Sequence, residues 1–244
     1  LQLRYTGSGQ EAVFVTSNNV LAKRLFQQAG IPTPPWMEKG SPPGAGAPAA
    51  SAPDDGAGTY LLKSEWEHAS NWFDDGSVVK AGSIAELRAA LEKRNSGGSR
   101  FFAERYIEGR EFNQAILAGE FLPAAEMRFV EYPEDKLRIV DFRAKWEEDS
   151  FEYTHTRRTF DFAAADRPLL EELQAVSRRC WDHFGLGGYA RVDFRVDGGN
   201  RPWVLEINAN PCLAPDSGFF AAAERGGLSY TRMVERIVDD CLSR

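Results

Sequence analysis

Apolar residues recur at three- and four-residue intervals in four stretches and alternate with polar residues in several others, so the chain mixes helices with strands. Leu21, Ala22, Leu25, Phe26 and Ala29 mark one face of a helix over Asn19–Ala29, which Ser17 or Asn18 can cap and which Gly30 and Pro32 end. A second helix carries Ile84, Leu87 and Leu91 behind the capping-box pattern Ser83-Ile-Ala-Glu86. The third runs from Arg167 to Phe184 with Asp166 as its cap, and the last from about Ser229 to Leu242. Tyr60–Lys63, Phe101–Ile107, Glu111–Leu117, Phe121–Phe129 and Leu137–Ala144 read as strands, with a turn at Gly119-Glu120. A hairpin follows over Gly188–Asn208. Strands and helices come in blocks rather than in strict alternation, which predicts an α+β fold with antiparallel sheet.

Composition changes this picture in one place. Gly40–Gly58 is almost wholly Gly, Pro, Ala, Ser and Asp, which cannot bury a core, and reads as a flexible insertion in a loop. Elsewhere 244 residues with 43% hydrophobic and 27% charged side chains suit one large domain or two small ones. No apolar run reaches the roughly 18–20 residues of a membrane helix. A net charge of −7 argues against sequence-independent nucleic-acid binding. Cys180, Cys212 and Cys241 are too few and too scattered for a disulfide framework, so a cytoplasmic setting is expected. His68, His155 and His183 show no metal-ligand spacing. The start, Leu-Gln-Leu-Arg-Tyr, reads as a cut end.

The hairpin carries the candidate chemistry. Period-two alternation puts Arg191, Asp193 and Arg195 on one face of its first strand, and Glu206 and Asn208 on one face of the return strand. A turn pivoting between Gly199 and Asn200 sets Asp193 across from Glu206 and Arg191 across from Asn208. Facing carboxylates repel unless a cation lies between them, and magnesium commonly takes one or two carboxylates plus phosphate oxygens. Asp193, Glu206 and Asn208 are therefore candidate metal ligands, with Arg191 available for developing negative charge. The same spacing also allows a solvated face in which Arg191 and Arg195 simply pair with the acids.

The run Leu205-Glu-Ile-Asn-Ala-Asn-Pro211, preceded by Arg191-Val-Asp193, resembles the metal-binding signature of ATP-grasp enzymes, particularly the D-alanine–D-alanine ligase family. Tyr5-Thr-Gly-Ser-Gly9 and Ala29-Gly-Ile-Pro-Thr-Pro34 extend the likeness over nearly the whole chain. The resemblance implies an ATP-grasp fold, with two α/β subdomains of largely antiparallel sheet enclosing the nucleotide. Residues 1–18 would be a linker from a missing N-terminal domain, 19–107 the central lid subdomain and 108–244 the catalytic subdomain. A chain without the N-terminal domain is expected to bind nucleotide weakly and ligate poorly.

The resemblance further implies a cytoplasmic ligase of peptidoglycan biosynthesis that uses ATP and two Mg2+ ions, with Mn2+ able to substitute. Its partners would be small-molecule carboxylates and amines, and a homodimer is compatible with the family. Lys63 and Lys145 would neutralise phosphates, Glu104 and the Ile107 backbone would read adenine, and Glu111 would bind the ribose. Ser217, with Cys212 nearby, would meet the substrate. ATP would convert a carboxylate to an acyl phosphate, and an amine would displace the phosphate.

Four positions depart from that family's pattern. Asn18-Asn19 stands where Asp-Lys is usual, and the loop Ser64–Gly76 is poor in glycine. Trp146 replaces a tyrosine, and Cys212 replaces a glycine. Two other readings follow: a degenerate nucleotide-binding module without catalysis, and a kinase acting on a small carboxylate or phosphate-bearing acceptor.

Overall fold

The computed structural model describes residues 4–40, 56–66, 75–98, 100–140 and 142–244; the side chains of residues 75, 145 and 146 also fall outside it. The greater part of the predicted insertion Gly40–Gly58 and of the loop Ser64–Gly76 therefore lies outside the described residues. The chain divides into two compact units. One holds Leu1–Thr16, Gly109–Arg128 and Arg157–Arg244, and the other Ser17–Glu108 and Phe129–Thr156.

The elements begin with helices α1 (Gln10–Ser17) and α2 (Asn19–Gln28), then strands β1 (Trp36–Met37), β2 (Gly58–Ser64) and β3 (Val78–Ala81). Helix α3 (Ile84–Arg94) precedes β4 (Phe101–Arg105), β5 (Arg110–Leu117), β6 (Glu120–Phe121) and β7 (Ala125–Phe129). Two short helices, α4 (Phe142–Trp146) and α5 (Phe151–His155), lead to β8 (Thr156–Thr159) and the long helix α6 (Arg167–His183). The hairpin β9 (Tyr189–Val196) and β10 (Pro202–Asn208) is followed by α7 (Gly218–Arg225) and α8 (Tyr230–Ser243).

In the second unit the sheet runs β1–β4–β2–β3, every pairing antiparallel. Alternation splits its faces. Met37, Tyr60, Leu62, Phe101 and Ala103 pack with Leu87 and Leu91 of α3, while Trp36 and Phe102 pack with Val20 of α2. Asn18 caps α2, its side-chain oxygen accepting from the Leu21 amide at 2.7 Å. Ser83 caps α3, but Glu86 closes the box on the Gly82 amide instead of on Ser83 itself.

The other sheet has the order β10–β9–β5–β7–β8, with β6 on β5. Phe112, Gln114 and Ile116 of β5 and Ala190, Val192, Phe194 and Val196 of β9 are fully buried on one face. On the opposite face Ala115, Leu117 and Tyr189 pack against Phe219, Ala222 and Ala223 of α7 and Met233 and Ile237 of α8. Phe219 is 0% exposed, so Phe219→Ala should cost about 3–5 kcal/mol of stability. Chemical denaturation checks this, and a loss under about 1 kcal/mol would contradict the packing described.

Three expectations need correction. Leu137–Ala144 is not a strand: residues 137–140 are irregular and Phe142–Trp146 is helical. The Arg138 carbonyl accepts from the Tyr106 hydroxyl at 3.4 Å, a side-chain partner in place of a strand ladder. Phe121–Phe129 is two strands, β6 and β7, with Pro123 between them, because proline offers no donor to a ladder. Asp166 occupies the N-cap position of α6 without making a cap bond. Its carboxylate instead accepts from Arg110 Nη1 at 2.5 Å.

Candidate functional site

The hairpin tip is set by one side chain. Asp197 Oδ1 accepts from the amides of Gly199 and Arg201, and Oδ2 accepts from Trp203 Nε1 at 2.9 Å. Near this turn the strands pair Val196 with Pro202, Arg195 with Trp203 and Phe194 with Val204. Left regular, that register would bring Leu205 opposite Asp193. A bulge between Val204 and Glu206 takes up one residue, and beyond it Glu206 faces Asp193 and Asn208 faces Arg191. The predicted cross-strand pairs therefore form. The pivot between Gly199 and Asn200 holds only beyond the bulge.

These side chains converge. Arg191 donates through Nε and Nη2 to the two oxygens of Asp193 at 2.7 and 2.8 Å. Asn208 Nδ2 donates to Asp193 Oδ2 at 3.0 Å and to Glu206 Oε1 at 3.1 Å. Burial works against the charge on Arg191, but Asp193, with Glu206 and Glu111 behind it, outweighs burial and raises its pKa. Arg195 turns to Glu111 at 3.2 Å, both side chains nearly buried. The ion pairs of the solvated-face reading thus exist, but Asp193 is nearly buried rather than solvated.

One member escaped the sequence reading. Asn113 lies opposite Asp193 on β5 and donates to its Oδ1 at 2.8 Å. Alternation along β5 puts Asn113 on the same face as Glu111. Which strand β5 lies beside depends on long-range pairing that no local pattern encodes.

Does this cluster fit a cation? Two carboxylates and an amide offer hard oxygen donors, with no thiol or imidazole in the cluster. Among the described residues no group of three or more His, Cys, Asp or Glu could hold a metal by itself. Asp193 and Glu206 with the Asn208 amide suit magnesium, which keeps waters and phosphate oxygens and needs only one or two carboxylates.

In the second unit, Lys63 of β2 and Glu104 of β4 share the α2-facing side of the sheet. Lys63 Nζ donates to Glu104 Oε1 at 2.6 Å. The buried ammonium of Lys23, on α2, lies 2.5 Å from Glu104 Oε2. Burial opposes the charge on Glu104, but the two lysines override it and hold its pKa below the usual carboxylate range. Lys23 is the second residue the sequence reading missed. It sits where an amphipathic helix would show only an ordinary surface lysine.

Ile107 follows β4 and is half-buried. Lys145 lies on α4, and its side chain is outside the described residues. The hydroxyl of Ser217 caps α7 by accepting from the Phe220 amide at 3.2 Å. Cys212 is a free, exposed thiol. Asn19, the departure at the start of α2, ties that helix to the end of β2. Its Nδ2 donates to the Ser64 carbonyl at 2.9 Å, and its amide to the Glu65 carbonyl at 2.8 Å.

Solved structures share this architecture. The D-alanine–D-alanine ligase of Bacillus anthracis complexed with ATP superposes with a TM-score of 0.71 at 22% identity, covering 99% of this chain and 71% of that one. The D-alanine–D-alanine ligase from Coxiella burnetii gives 0.69 at 18% identity. The fold is the ATP-grasp fold. A family model described as "D-ala D-ala ligase C-terminus" matches residues 75–239. D-alanine–D-alanine ligases of two Synechococcus strains are 30% and 31% identical, each over all of this chain and 70% of their own length. The Methylococcus capsulatus enzyme is 29% identical.

The chain belongs to the D-alanine–D-alanine ligase family, whose members are ATP-dependent ligases that form carbon–nitrogen bonds and use magnesium. Among the described residues no helix is long and apolar enough to cross a membrane.

Proposed function

We propose that this chain binds Mg-ATP and joins two molecules of D-alanine, or a closely related carboxylate and amine, through an acyl phosphate. The observation that carries this is the meeting of Asp193, Glu206 and Asn208 across the β9–β10 bulge, with Arg191 beside them. Asp193, Glu206 and Asn208 hold the cation, which supplies charge neutralisation at the transferring phosphoryl group. These residues would hold two magnesium ions, or Mn2+ in their place.

Lys63 and Lys145 neutralise the remaining phosphate charge. The carboxylate of Glu104 and the backbone of Ile107 read adenine, and Glu111 takes the ribose hydroxyls. A donor carboxylate oxygen attacks the γ-phosphorus and ADP leaves. The acceptor amine then attacks the acyl carbon, phosphate departs, and the nitrogen gives up its proton. Arg191 stabilises the oxyanion between those steps. Ser217 and Cys212 meet the substrate, with cysteine in place of glycine altering that pocket.

The test is phosphate release from ATP across a panel of D- and L-amino acids and dipeptides. Release that requires D-alanine supports the reading. Nucleotide binding with no release under any pairing would support a non-catalytic module instead.

A further inference from the structure

In the buried contact between α2 and the sheet of the second unit, Lys23 is the one charged member with no part in the reaction as described above. Three charged groups meet there: Lys23 from α2, Glu104 from β4 and Lys63 from β2. Their side-chain exposures are 2%, 1% and 28%, so the triad has two sealed members and one that reaches outward. Lys23 is fixed on every side. Its ammonium donates to Thr33 Oγ1 at 2.8 Å and to the Pro34 carbonyl at 3.4 Å, and it lies 5.5 Å from the centre of the Trp36 ring. Glu104 Oε2, 2.5 Å away, is its charged partner.

Charge accounting gives this arrangement a purpose. A carboxylate shared by two ammonium groups leaves one net positive charge; a carboxylate facing Lys63 alone leaves none. Only the Lys63 end is exposed enough to meet an anion. We propose that Lys23 is a positioning residue for polyphosphate binding: it neutralises Glu104 from behind, so that the triad presents the charge of Lys63 outward. Lys23 touches no nucleotide in this scheme and acts through Glu104. The inference rests on the ATP reading given above and extends it to a residue that reading does not use.

Burial lowers the pKa of Lys23 to about 8, with Glu104 pulling upward and Lys63 adding to the decrease. Glu104 and Lys63 are the charged groups facing it; Thr33, Pro34 and Trp36 are neutral. As pH rises through that value Lys23 loses its proton and the triad falls from one positive charge to none. Preference for a triphosphate should fall with it.

The experiment compares Mg-ATP with AMP, whose single phosphate samples much less of the charge, by titration calorimetry on the protein and its variants. Lys23→Met should reduce the ATP-to-AMP affinity ratio by about tenfold. The double change Lys23→Met with Glu104→Gln restores one net charge and should bring the ratio back to within about threefold of the unaltered protein. In the unaltered protein the same ratio should fall between pH 7 and pH 9, and the double variant should show no such fall. This arm decides the matter even if Lys23→Met fails to fold. A ratio unmoved by both pH and substitution overturns the inference while leaving ATP binding intact. Absence of any ATP binding by the unaltered protein overturns the ATP reading and this inference together.

Discussion

Glu206→Gln is expected to cut amino-acid-dependent phosphate release at least about a hundredfold, the largest effect among the site substitutions. The effect is electrostatic. Glu206 and Asp193 supply the formal negative charges that face one another across β9 and β10. Arg191 already offsets Asp193 through two short hydrogen bonds. Removing the charge of Glu206 therefore leaves the cluster close to neutral and takes away most of its pull on a divalent cation. Gln keeps the size and the acceptor oxygen, so Asn208 can still donate to it and the hairpin should fold normally. Raising magnesium tenfold should restore part of the lost rate. Unchanged turnover in Glu206→Gln at low magnesium would remove the cation site from the mechanism.

Gly109→Ala should lower stability by at least about 3 kcal/mol without touching any group in the chemistry. Gly109 has φ +142°, a conformation that side chains rarely adopt, and it stands immediately before β5. A Cβ built there would lie 2.0 Å from the carbonyl oxygen of Val196 and 3.0 Å from its carbonyl carbon, both backbone atoms that a rotamer change cannot move. Relief requires separating β5 from the end of β9, where Arg110 pairs with Val196. Thermal unfolding should show a decrease on the order of 10 °C. Gly119→Ala is the matched control. Its φ of +77° is also unfavourable, but a Cβ there meets nothing within 4 Å, so only about 1 kcal/mol is at stake. Equal losses at both positions would show that backbone conformation alone, and not the approach to Val196, sets the cost.

Much of the pairing in the candidate site is legible in the sequence, and the reason is geometric. Alternation along Tyr189–Val196 and Pro202–Asn208 assigns faces, and a hairpin brings its own two strands together without long-range information. That is enough to pair Asp193 with Glu206. The bulge is not legible: the turn held by Asp197 and the acidic cluster lie in registers one residue apart, and that offset does not show in a hydropathy pattern. Asn113 and Lys23 stay hidden for a different reason. Each meets its partner across a large sequence separation, Asn113 with Asp193 and Lys23 with Glu104. The predicted strand at 137–144 is the opposite failure: its composition allows a strand, but residues 137–140 are irregular and Phe142–Trp146 is helical.

The kink at Leu205 also divides the ribbon into two parts with separate tolerances. Above it, the loop from Asp197 to Arg201 is closed by the pair Val196 and Pro202 and tied to Trp203 by Asp197, so it can be exchanged for another loop of equal span that keeps this aspartate while the acids stay in place. Below it, sidedness is counted residue by residue. One amino acid inserted between Leu205 and Glu206 would turn the carboxylate toward Val192 and Phe194, both fully buried, where a charge without a partner is costly. Graft experiments at the tip and length changes at the base should therefore have opposite outcomes within the stretch from Asp197 to Glu206.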